Sequence, residues 1–120
     1  MGGRGSVSGF TSRLPNYQRA IILGAKVKNY LLNPDKSNGK SELFRSLGYT
    51  MKNAKGLSLD IRKGLKENKA VAFAPNKFGN TAFNVRMPLG INTKTMILTV
   101  WQIDRGDNRP RFITAYKARR

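Results

Sequence analysis

Lysine, arginine, threonine, tyrosine and glutamate are the residue types that could do covalent chemistry in this chain, and the chemistry they would suit is metal-free cleavage of RNA. RNA carries its own nucleophile. The 2′-OH beside a phosphate attacks it, so the protein must only stabilise extra negative charge on the phosphorane and move protons. Lys and Arg do the electrostatic work. Tyr, Lys or Glu move protons where histidine is absent. The chain offers Lys26, Lys28, Lys40, Arg86, Arg111, Thr114, Tyr116 and Glu42 for these tasks. DNA lacks the 2′-OH, and its hydrolysis normally calls on a metal.

What is missing narrows the chemistry further. The chain has no His and no Cys. That excludes Ser-His-Asp catalysis, thiol catalysis, His-ligated metals, disulfides and zinc-finger spacing. Asp104 and Asp107 flank a turn and are expected to shape it, not to hold a cation. Glu67-Asn68-Lys69 has the acid-x-lysine form of metal nucleases, but at a helix end, where it is coincidence. The letters Gly39-Lys40-Ser41 are not a phosphate-binding P-loop, because the glycine required five residues earlier is Pro34. No metal and no cofactor are expected.

The charge balance names the partner class. There are 23 Lys and Arg against 6 Asp and Glu, a formal charge of +17. A soluble surface needs only about 2–8 net charges, and the surplus repels itself. Attraction to phosphates is the usual return for that cost. The cations run from Arg4 to Arg120, so they decorate the folded surface and not one tail. No segment has the ~18–20 consecutive apolar residues of a membrane span.

Residues 1–15 form an expected flexible, basic arm rich in Gly and Ser. In Asn16–Leu32, Val27 and Leu31 with Tyr30 between them suit a short amphipathic helix, ended by Asn33-Pro34. Leu43, Phe44 and Leu47 predict a second helix stopped by Gly48. Lys40 falls in its first turn, where a cation opposes the dipole by ~0.3–1 kcal/mol but helix N–H groups can meet a phosphate. Leu57, Ile61 and Leu65 predict the clearest helix, over Asn53–Asn68, with Asn53 as N-cap.

The period then changes to two. Strands are predicted over Ala70–Phe78, Thr81–Leu89, Lys94–Asp104 and Pro110–Lys117, the first two joined at Gly79-Asn80. Met96, Leu98 and Val100 are expected to face the core, leaving Thr99 and Trp101 outward. An outward Trp101 can stack on a base. Phe112, Thr114 and Tyr116 are expected to share one face of the last strand. The order implies an α+β domain over residues 16–120, its N-terminal helices packed on a four-stranded antiparallel sheet.

Three segments carry a family resemblance: KVKNYLLNPDKSNGKSELFRSLGY (26–49), NAKGLSLDIRKGL (53–65) and ILTVWQIDRGDNRPRFITAYK (97–117). They resemble small toxin-like domains of polymorphic toxins and phage proteins, similar to the barnase–colicin–RelE superfamily of metal-independent ribonucleases. The resemblance implies two helices followed by a four-stranded antiparallel sheet. It matches Lys40 to a helix-start lysine, Thr99 and Trp101 to a TxW strand, and Arg111, Thr114 and Tyr116 to a PRxITAY strand. Relatives often carry a histidine after the NP, where this chain has Asp35-Lys36.

The expected function is therefore an RNA-directed, toxin-like endoribonuclease of phage or bacterial origin, acting in the bacterial cytoplasm, with transfer RNA the substrate class suggested by analogy. Lys40 and Arg111 would hold the phosphate, and Tyr116 with Thr114 would assist proton transfer. Lys26, Lys28, Lys36, Arg86, Thr99, Trp101 and Lys117 would contact nucleic acid. The alternative is a non-enzymatic phage accessory protein that binds nucleic acid or inhibits a host RNA-guided defence complex. An immunity protein or that defence complex is the candidate protein partner.

Overall fold

Leu57, Ile61 and Leu65 recur every four residues and all three are buried, so the chain's longest helix forms where its apolar stripe predicts. The computed structural model describes residues 12–36 and 39–119. A 3-10 turn at Tyr17–Arg19 opens the fold. Gly24–Lys26 (α1) then runs directly into a π-helical stretch, Val27–Leu32. Lys40–Ser46 (α2), a 3-10 turn at Met51–Asn53 and Ala54–Glu67 (α3) follow. Strands Ala70–Ala72 (β1), Thr81–Leu89 (β2), Thr95–Ile103 (β3) and Arg111–Lys117 (β4) complete the chain.

The architecture is α+β. The strands form an antiparallel sheet in the order β1-β2-β3-β4. The helices cover one face, and the other is open. No helix among the described residues is long and apolar enough to cross a membrane.

The π-helical stretch explains the burial around Tyr30. A wider turn brings both residue i+4 and residue i+5 back near residue i. Leu31 and Leu32 therefore flank Val27, and all three are buried while Tyr30 stays exposed. Ahead of it, Ile21 does not join a helix. It bridges to Arg111, accepting from the Phe112 amide and donating to the Pro110 carbonyl. The expected arm over residues 1–15 falls mostly on residues 1–11, outside the described residues. Its last part belongs to the core: Leu14 is buried, and the Ser12 carbonyl accepts from the Ala70 amide.

Helix boundaries follow the sequence closely. Gly48, with φ 97°, ends α2, and the Tyr49 amide donates back to Phe44. Asn53 is the N-cap residue of α3, but its side chain looks backward. Its Oδ1 accepts from Thr50 N and its Nδ2 donates to Gly48 O.

The sheet departs from expectation in three places. β1 has three residues instead of nine, because Pro75 has no N–H for a ladder and Asn76 folds the next residues into a loop. Its Oδ1 accepts from the Phe78 and Asn80 amides. The faces of β3 are reversed: Ile97, Thr99 and Trp101 are buried, and Met96, Leu98 and Val100 lie on the open side. Both sets are apolar enough for a core, and the larger Trp101 takes the dry side. In β4 the register shifts between Val100 and Trp101, whose partners are Thr114 and Phe112. Ile113 is the extra residue of a β-bulge. Phe112 and Ala115 therefore both reach the core, while Arg111, Thr114 and Tyr116 share the open side.

Tyr49 ties the helices to the end of β2. Its buried hydroxyl donates to Asp60 Oδ2 at 2.6 Å and accepts from the Gly90 amide at 3.1 Å. Burial first, and then the Asp60 hydrogen bond, push its phenol well above the ordinary tyrosine value. A raised folded-state pKa stabilises the fold fully below the unfolded value of about 10 and loses that contribution as pH climbs beyond it. Wild type is expected to lose more stability than Tyr49→Phe between about pH 9 and 11. Denaturant melts at both pH values check this; parallel losses would refute it. At neutral pH the same variant should be weaker by about 1–3 kcal/mol, since it leaves Asp60 and the Gly90 amide unpartnered.

Gly90 is fixed by geometry. Its φ is 149°, and a Cβ there would lie 1.9 Å from the Thr93 carbonyl oxygen. Gly90→Ala is expected to cost at least about 1–3 kcal/mol from backbone strain alone, read as a lowered thermal midpoint.

Candidate nucleic-acid interface

β4 is an edge strand, and its open-side residues meet the N-terminal helices there. The Tyr30 hydroxyl lies 3.2 Å from Thr114 Oγ1. Lys40, the first residue of α2, reaches across to β4, where its Nζ donates to the Ala115 carbonyl at 3.2 Å. The same ammonium lies 5.7 Å from the ring centroids of both Tyr30 and Tyr116. Lys26, at the end of α1, sits 5.5 Å from the Tyr30 ring and 5.9 Å from the Phe112 ring. Two ammoniums, two phenols and one hydroxyl thus converge on a solvent-facing edge. The aromatic faces hold the cations in place by cation–π attraction. α2 has only seven residues, so the Lys40 ammonium, not the helix end, is the anion-attracting group.

Tyr116 joins this cluster to the open face. Arg86, Leu98 and Tyr116 are successive cross-strand partners on β2, β3 and β4, and Lys40 extends that row past the edge. Asn84, Val100 and Thr114 form the next row, which Tyr30 extends. A cavity of about 550 Å³ opens on this face. Val71 and Leu98 form its apolar floor, with Asn84 and Tyr116 beside them. Lys69, Arg86 and Arg119 stand around it, and among the described residues no carboxylate lines it.

Of the residues expected from sequence to do chemistry, Lys40, Thr114 and Tyr116 come together and Arg111 is held elsewhere. Arg111 donates to Asp104 through Nε at 2.9 Å and Nη2 at 3.3 Å. Gln102 Nε2 also donates to Asp104, at 2.6 Å. The Arg111 hydrogen bond, then that of Gln102, hold the Asp104 carboxyl below its ordinary value, and Asp104 raises the Arg111 guanidinium in return. Arg111 is thus a partly neutralised group. Asp107 plays the expected turn role, its Oδ1 accepting from the Asn108 and Arg109 amides.

Among the expected contact residues, Lys26 joins the cluster and Arg86 the cavity. Lys28 and Lys36 are exposed on the helical side. Lys117 is exposed but opposes Ile97, a residue of the core face. Thr99 and Trp101 are both 0% exposed, so neither can touch a base. Trp101 Nε1 donates to Thr99 Oγ1 at 2.8 Å, and Thr99 donates to the Val85 carbonyl at 2.8 Å. Phe112 packs edge-on to the indole, with centroids 5.4 Å apart. The Thr-x-Trp spacing is thus a satisfied polar relay inside the core.

Tyr30, Lys69, Asn84 and Arg119 were missed at the sequence level. Asn84 had a signal, since it alternates with Arg86 along β2. Tyr30 had none, because only the π geometry turns it outward.

A family model described as a domain of unknown function (DUF6883) matches residues 13–119. The chain belongs to the DUF6883 family. No curated protein and no solved structure matches it. The DUF6883 span takes in the edge cluster, the open-face cavity and the Arg111–Asp104 pair, so the whole candidate interface lies inside the family's domain.

Proposed function

We propose that this DUF6883 protein is an RNA-binding, toxin-like endoribonuclease that needs no metal, with transfer RNA as the first substrate class to test. The supporting observation is the meeting of Lys26, Lys40, Tyr30, Thr114 and Tyr116 at the β4 edge. In this proposal the ribose 2′-oxygen attacks the neighbouring phosphorus, and the bond from phosphorus to the 5′-oxygen breaks. The products are a 2′,3′-cyclic phosphate and a 5′-hydroxyl. The 2′ proton passes to the Tyr30–Thr114 hydroxyl pair, which releases one of its own to solvent, while Tyr116 gives its phenol proton to the departing 5′-oxygen and regains one from solvent. Lys40 and Lys26 offset the extra charge on the phosphorane. The resemblance to the barnase–colicin–RelE superfamily, some of whose members work without histidine, adds weight.

A second reading has its own support. Arg111 is engaged by Asp104, and Lys40 is hydrogen-bonded to a backbone carbonyl. Both suit a protein that binds RNA without cutting it, such as a phage accessory protein occupying a nucleic-acid site in a host defence complex. Incubation with total tRNA in EDTA separates the two. Discrete fragments ending in cyclic phosphate are expected from wild type and not from Tyr30→Phe/Tyr116→Phe. Intact but tightly bound tRNA at excess protein would sink the cleavage proposal and leave the binding one.

A further inference from the structure

We infer that the open-face cavity is the seat of a single-stranded RNA segment flanking the bond that is cut. The inference rests on the RNA-cleaving function proposed above, and adds the substrate's form. Charge complementarity is its first support: Lys69, Arg86 and Arg119 surround the cavity, and no carboxylate among the described residues faces it. Its size, about 550 Å³, falls within the ~300–1,000 Å³ of small-ligand sites, which suits a splayed nucleotide and not a helical duplex. The floor supplies the third support. Leu98 and the exposed Tyr116 offer surfaces for a base face, and Asn84 offers a donor and an acceptor for a base edge. Paired bases turn their edges and faces inward, so a duplex would leave this floor unused. Tyr116 belongs both to the cavity wall and to the edge cluster, so a strand in the cavity passes directly to Lys40.

The test uses a 2′-O-methyl RNA of about ten nucleotides, which has no free 2′-OH and cannot be cut. Its binding is followed by fluorescence anisotropy across a salt series, as a single strand and as a duplex. Lys69→Ala/Arg119→Ala is expected to weaken single-strand binding by about tenfold and to reduce the salt slope by about 1.4, at roughly 0.7 for each lost phosphate contact on a single strand. Both side chains are exposed, and an unchanged thermal midpoint confirms folding. Wild-type affinity and slope in the double variant would overturn the inference, and so would equal affinity for the duplex. If wild type cuts no RNA yet its single-strand binding depends on Lys69 and Arg119, the cleavage proposal falls and this one stands as a binding face.

Discussion

Lys40→Ala is expected to lower metal-free RNA cleavage by about 10²–10³-fold, the usual cost of losing one preorganised group that stabilises transition-state charge. Lys40 is the cation at the centre of the edge cluster, placed between the rings of Tyr30 and Tyr116 and tethered to the Ala115 carbonyl. Its tether is a single exchangeable hydrogen bond, so a phosphate oxygen can replace the carbonyl without moving the helix. Arg111→Ala serves as the contrast. Its guanidinium is spent on Asp104, and its removal should reduce the rate far less. Single-turnover cleavage in EDTA, with melting curves for both variants, decides the matter. A larger loss from Arg111→Ala than from Lys40→Ala would place the phosphate at the start of β4 instead.

Trp101→Ala is expected to destabilise the fold by about 3–5 kcal/mol, lowering the thermal midpoint by at least about 10 °C. The indole is sealed in the core, packs against Phe112 and donates to the Thr99 hydroxyl. Truncation leaves a cavity and strips Thr99 of a partner. An RNA-stacking role would behave differently, with binding weaker by about 1–3 kcal/mol per base and stability little changed. Trp101→Phe separates these outcomes. It should keep most of the packing, lose the N–H donor, and bind RNA like wild type at a temperature where both are folded.

The helices were legible because each carries one dominant apolar stripe and one stop signal. Leu57, Ile61 and Leu65 leave no rival face for α3, and Gly48 has the positive φ that a helix stop favours. The meander was legible from the change to a period of two. The faces were not. In β3 two interleaved apolar sets compete, and only the combined burial of Trp101, Thr99 and Phe112 settles which turns inward. In β4 strict alternation put Phe112 with Thr114 and Tyr116, and the bulge separates them. Part of the edge cluster was nonetheless visible, because Lys40, Thr114 and Tyr116 were among the residue types suited to metal-free RNA chemistry and lie in the segments that carry the family resemblance. Tyr30 was hidden by the π-helical turn, and the engagement of Arg111 by the choice of partner for Asp104.

The bulge at Ile113 has a consequence for how this strand can change. On either side of it β4 keeps a different phase: Phe112 is set by its opposition to Trp101, and Ala115 by its opposition to Thr99. Ile113 is therefore the unpaired residue that separates the two phases. Substitution there leaves the alternation intact. Deletion would bring Phe112 and Thr114 together as a regular ladder, still opposite Trp101 and Val100, so Phe112 would stay in the core and Thr114 and Tyr116 on the open side. The edge cluster thus tolerates both substitution and loss at position 113, because no pairing between β4 and β3 runs through that residue.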